Sequence, residues 1–117
     1  MAITNTRKKI ASLCPDSLNE VQLYAVPSDC EIDAVLRINN ITNDLSTYSI
    51  YHCSAGQGDN PANISDIIAK DVYIDGLGNP PHEYSIHAGP TETIRVKSGT
   101  VSGLIFHLSG NVKKVSS

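Results

Sequence analysis

Histidine and cysteine are the residues best suited to do chemistry in this chain of 117 residues, which holds four of the first and three of the second. Histidine serves as general base or metal ligand, and a thiolate serves as nucleophile or metal ligand. His52, His82, His87 and His107 form no HxH or HExxH spacing, the patterns that put two ligands on one metal. His82 and His87 flank a short extended segment at a separation of five, which aims them at opposite faces. His52 and Cys53 are neighbours on a predicted strand and diverge, so they make no thiol–imidazole pair. No GxSxG nucleophile elbow occurs. Gly56-Gln57-Gly58-Asp59 is a fragment of a phosphate loop without the helix and Lys-Ser/Thr that would complete it. Asp16, Glu20, Glu31 and Asp33 make no tuned carboxylate pair and read as solvation of an outer face. The sequence therefore predicts no catalytic residue, no metal site and no cofactor.

Cys14, Cys30 and Cys53 are an odd set without a CxxC pair, whereas a disulfide scaffold normally shows an even one. They read as three reduced thiols, with Cys30 and Cys53 as small core residues. Asn40-Ile41-Thr42 and Asn63-Ile64-Ser65 fit glycosylation by pattern alone.

The elements that must position these residues are strands. Apolar residues are 40% of the chain, which excludes a disordered chain, and charged residues are 18%, which is low for a helical protein. The length suits one domain. A net charge of −3 argues against a basic nucleic-acid binder. No apolar run approaches the roughly 18 residues of a membrane-spanning helix. The start has charges without an apolar segment behind them, so it does not read as a secretion signal.

Turn residues recur along the chain at the rhythm of an all-β domain. Residues 21–26 read as a strand ended by Pro27-Ser28-Asp29. Residues 30–39 alternate cleanly, with Cys30, Ile32, Ala34, Leu36 and Ile38 on one face, as a half-buried sheet requires. Further strands are predicted at 45–54, 70–74, 83–87, 93–97 and 101–108. Residues 55–63 read as a loop, 65–70 as a helical turn or strand start, and 110–116 as a last strand or a tail. The expected fold is all-β, an antiparallel β-sandwich or jelly roll of seven to eight strands.

Residues 1–20 differ from the rest and read as an extended N-terminal arm on a sandwich domain of residues 21–117. Arg7, Lys8 and Lys9 are three of the nine cations. Ile3, Ile10 and Leu13 stand isolated among polar residues. Apolar anchors between charges suit an arm lying in a neighbour's groove, so Ile3, Arg7, Lys8, Lys9, Ile10 and Leu13 are the candidate partner-binding residues.

Leu23-Tyr24-Ala25-Val26-Pro27, followed by an alternating strand that reaches Arg37-Ile38-Asn39-Asn40, resembles the opening of small β-sandwich proteins of tailed-phage virions. The resemblance continues through Tyr48-Ser49-Ile50-Tyr51, through Ala88-Gly89 ahead of Thr93-Ile94-Arg95-Val96, and through residues 101–110. The chain departs from that pattern at Pro90-Thr91-Glu92 and in its longer basic arm. The resemblance implies a non-enzymatic virion structural protein, a capsid decoration (cement) protein that bridges neighbouring subunits of the major capsid protein. It implies a homotrimer on the outer capsid surface, assembled in the bacterial host cytoplasm, with no membrane and no specific nucleic acid as partner. A tail, neck or baseplate adaptor, with or without a carbohydrate-reading face, is the alternative. A cupin-like enzyme would need a metal cluster that the sequence does not show.

Overall fold

The computed structural model describes residues 2–54 and 67–116. They form eight strands, β1 (Ala2–Leu13), β2 (Val21–Ala25), β3 (Cys30–Asn40), β4 (Ser46–Cys53), β5 (Ile67–Ile74), β6 (His82–Ala88), β7 (Thr93–Ser98) and β8 (Leu104–Ser116). Two antiparallel four-stranded sheets result, in the orders β1-β8-β3-β6 and β2-β7-β4-β5. This is an eight-stranded β-sandwich with the strand order of a jelly roll. The all-β sandwich expected from the sequence is the fold observed. The loop predicted at 55–63 lies outside the described residues, as do Ser65 and Asp66; residues 67–70 of the segment read as a helical turn or strand start are strand, the beginning of β5.

Alternation drives the packing. In β3 every even-numbered residue from Cys30 to Asn40 is buried, while the odd-numbered residues face outward. Ile32, Leu36 and Ile38 of β3 meet Phe106 and Leu108 of β8 and Ile50, Ile94 and Val96 of the facing sheet, all nearly or fully buried. Each such side chain stabilises the fold by about 1.5–3 kcal/mol relative to exposure.

Two elements differ from the sequence reading. The predicted break after Leu108 is absent, and β8 runs unbroken through Gly110 to Ser116. Gly110 marks a close approach, because a Cβ there would sit 2.7 Å from the Cα of Ala34. The second concerns the N-terminal segment. Residues 2–13 are extended, and they lie along β8 as the outermost strand of the first sheet. Their apolar residues fall on no single period because the inward-facing positions of β1 switch from even to odd numbers midway. The register shifts between Lys9 and Ala11, which is a β-bulge. Before the bulge Thr4, Thr6 and Lys8 share the face of Val112 and Gly110. After it Ala11 and Leu13 share the face of Leu108 and Phe106.

Four connections gather at one end of the sandwich, residues 14–20, 41–45, 75–81 and 99–103. Main-chain bonds tie them in sequence. Ser102 N–H donates to Pro15 O (2.8 Å), Ile41 N–H to Gly103 O (3.0 Å) and Leu77 N–H to Thr42 O (2.8 Å). Buried Asn40 is the hub. Its Nδ2 donates to the carbonyls of Asp44 (2.8 Å) and Ile74 (3.0 Å), and its Oδ1 accepts from the Thr42 amide (2.9 Å) and hydroxyl (2.7 Å). Gly76 and Gly103 leave no room for a Cβ against Thr42.

Candidate interface: the β1 edge

β1 forms one free edge of its sheet and β6 the other. Strand β1 has 12 residues, while β2, the strand of the opposite sheet that it meets, has five. A partner that short cannot cover the whole of β1. Residues 3–9 are therefore exposed on both faces, and Ile3 is 56% exposed. Ile10 and Leu13, read from the sequence as anchors for a neighbour, instead pack against the chain's own core, because the bulge returns this part of the strand to the inner face. Ile3, Arg7, Lys8 and Lys9 are the candidate residues that remain available to a partner.

The cations of this edge have no counterion among the described residues. Arg37 pairs with Glu83 (3.5 Å), Arg95 with Glu20 (2.6 Å), Lys113 with Glu31 (3.3 Å) and Lys114 with Asp29 (3.7 Å). Among the described residues no carboxylate pairs with Arg7, Lys8 or Lys9. Three consecutive cations on a strand with one free edge repel a second identical edge, a common device against edge-to-edge aggregation. The same charges attract a partner of opposite sign. On the outer face, Arg7 begins a cross-strand row that continues through Asn111 of β8 and Asp33 of β3 to His87 of β6. His87 Nδ1 meets Asp33 Oδ1 at the far end of this row, in contact with solvent.

The remaining histidines sit where strand parity sends them. His82 and His87 point to opposite faces of β6, His82 inward and His87 outward. His82 Nδ1 and Tyr84 Oη each lie within hydrogen-bond distance of Tyr48 Oη, at 2.7 and 2.6 Å, across the gap between the sheets. Burial, then the Tyr84 hydroxyl, pushes the Tyr48 phenol well above its usual range. His52 Nε2 lies 3.0 Å from Glu92 Oε1, which also accepts from the Gly89 N–H (2.6 Å). That amide, then His52, holds the Glu92 carboxyl below its ordinary value against the opposing effect of burial. These pairs clip turns and sheets together. Among the described residues no three His, Cys, Asp or Glu side chains gather as a metal site.

Cys30 and Cys53 are buried and Cys14 is exposed. Burial, then the adjacent Asp29 carboxylate, pushes the Cys30 thiol up. Sequence reasoning passed over the Asn40–Thr42 hub. Its signal was the Asn39-Asn40-Ile41-Thr42-Asn43-Asp44 run, which reads as an ordinary turn unless Asn40 is known to be buried.

No protein-family model matches the chain, and no curated protein matches it. The chain is similar in fold to a solved structure from Bacillus endospore appendages, described as a novel family of disulfide-linked pili. The TM-score is 0.58 at 13% identity, covering 98% of this chain and 89% of that one. A weaker likeness, TM-score 0.39 at 12% identity, relates 95% of this chain to 28% of a chain of infectious bursal disease virus Gx strain. At these identities the comparisons speak to the fold, and the second is too distant to carry an argument.

Proposed function

We propose that this chain is a non-enzymatic structural subunit of a multi-copy protein assembly, joined to its neighbours through the β1 edge. One observation carries the reading. A 12-residue edge strand stands exposed on both faces over residues 3–9 and bears three cations without counterions among the described residues. A free edge offers main-chain donors and acceptors to a partner, and the charges select an acidic one.

The sequence resemblance favours a particular setting, a capsid decoration protein of a tailed phage. There the chain acts as a homotrimer on the outer capsid surface, with β1 joining copy to copy and the trimer bridging subunits of the major capsid protein. Its action is mechanical, burying surface across subunit boundaries and raising the free energy of rupture. A tail, neck or baseplate adaptor would use the same edge. The fold likeness favours a second setting, an appendage subunit, because it extends over nearly all of both chains and its counterpart is described as forming disulfide-linked pili. Exposed Cys14, directly after β1, is the thiol that a covalent link between copies would use.

Imaging source particles that carry a C-terminal label separates the settings. Label over a whole shell indicates decoration, label at one vertex a tail or neck component, and label along a fibre an appendage. Diffuse label with no particle contradicts the structural reading.

A further inference from the structure

The loop end of the sandwich presents a second surface, built unlike the rest of the molecule. Each of its four connections carries exposed aliphatic side chains: Leu18 (52% exposed), Ile41 and Leu45 (43% and 57%), Leu77 (60%) and Val101 (53%). Solvent-exposed aliphatics scattered singly need no explanation, but several brought together by adjoining loops mark an interaction surface. The three main-chain bonds and the Asn40 hub fix these loops to one another, so little ordering is needed when a partner arrives. Apart from the Glu20–Arg95 ion pair, the charge that the connections bring to this end has one sign. Asp16, Asp44 and Asp75 lie on it, the four connections contain no Lys or Arg, and none of the three carboxylates has an ion partner among the described residues.

We infer that this loop crown docks on the β1 edge of a second copy of the chain, its three carboxylates meeting Arg7, Lys8 and Lys9 and its aliphatic tips covering Ile3. The inference rests on the subunit reading above and deepens it by naming the partner surface. Charge complementarity selects the occupant. A β1 edge repels another β1 edge, and a crown repels another crown, whereas crown and edge attract. The acidic crown is equally unsuited to an anionic membrane surface. Docking one patch on a different patch is heterologous, so the contact closes into a ring or continues as an open filament according to the rotation between copies. A trimeric ring and a fibre are thus two outcomes of one contact, which connects the two settings.

Reversing each surface separately tests the inference. One variant combines Asp16→Lys, Asp44→Lys and Asp75→Lys, and the other combines Arg7→Glu, Lys8→Glu and Lys9→Glu. All six positions are exposed, and retained strand circular dichroism confirms that each variant folds. Sedimentation velocity is then followed up to about 100 μM, well above the Kd of a specific interface. The wild type is expected to associate, less so as salt rises. Each variant alone is expected to lose association by about tenfold or more, since like charges then face each other. An equimolar mixture of the two is expected to recover it. Leu45→Ser with Leu77→Ser, which leaves the charges in place, should also weaken association. Wild-type association that the crown variant leaves unchanged, or a mixture that fails to recover, overturns the inference. If removal of residues 2–9 abolishes association in that case, the subunit reading stands without the crown. A wild type that stays monomeric, or that binds vesicles of neutral lipid in preference to itself, overturns the inference as well.

Discussion

Lys9 and Ala11 of β1 pair with Ser109 and Leu108 of β8, so Ile10 is one residue more than the partner strand can match. This surplus switches the inward-facing residues of β1 from even to odd numbers, so that Ala11 and Leu13 meet the core while residues 3–9, beyond the reach of β2, face solvent. The division is testable by substitution. Leu13→Ala should cost about 1–2 kcal/mol, less than a fully buried leucine because Leu13 is only half-buried. Lys9→Ala should change stability by less than about 0.5 kcal/mol. Urea unfolding of both variants checks the contrast, and equal effects would contradict the placement of the bulge.

Tyr48→Phe keeps the ring in the core and removes the hydroxyl that joins His82 and Tyr84. The expected cost near neutral pH is about 1–2 kcal/mol. The folded-state pKa of Tyr48 is raised above its ordinary value of 10.0. Its contribution is therefore complete below pH 10 and is lost as pH rises through the native value. The stability gap between wild type and Tyr48→Phe should narrow above about pH 10. A gap that widens there would contradict the buried, neutral phenol.

Glu92 behaves oppositely. Its folded-state pKa is depressed below its ordinary value of 4.5, chiefly by the Gly89 amide and then by His52. Its contribution is present above that value and disappears as pH falls through the native pKa. Glu92→Gln should destabilise by about 1 kcal/mol at pH 7. Thermal melts from pH 7 down to about pH 3 should show the difference shrinking at the acid end. A constant difference across that range would show that the carboxylate charge does not act in the clip.

The thiols should separate by exposure. In the native state a polar disulfide reagent should modify Cys14 rapidly and leave Cys30 and Cys53 untouched until the protein unfolds. The melting temperature of the monomer should not change with reductant. A sharp drop would reveal a bridge, worth about 2–4 kcal/mol.

The strands with strict alternation were the legible ones. In β3 each inward residue is apolar as far as Ile38, and period two alone assigns both faces. β1 was opaque because its bulge resets the alternation, so Ile3, Ile10 and Leu13 fall on no single period. The sequence reads as a strand over 101–108 with 110–116 as a last strand or a tail, whereas β8 is one strand from Leu104 to Ser116. Only the main chain of Asp33 and Ala34 packed against Gly110 explains why a glycine sits inside a strand. The candidate interface was half legible. Charge and composition singled out Arg7, Lys8 and Lys9, while the pairing of β1 with β8, which assigns Ile10 and Leu13 to the core, depends on contacts about a hundred residues apart in sequence. The loop crown was invisible for the same reason. Leu18, Ile41, Leu45, Leu77 and Val101 are unremarkable singly and become a surface only once the fold gathers their loops.

The most direct test of the central claim, assembly through the β1 edge, removes residues 2–9 and keeps Ile10, Ala11 and Leu13, which complete the core. Intact and shortened proteins are compared by sedimentation velocity and negative-stain imaging at equal concentration. The account predicts that the intact protein forms rings or fibres, and that the shortened protein keeps its strand circular dichroism but sediments as a monomer. Undiminished assembly of the shortened protein, or an intact protein that is monomeric throughout, would contradict it.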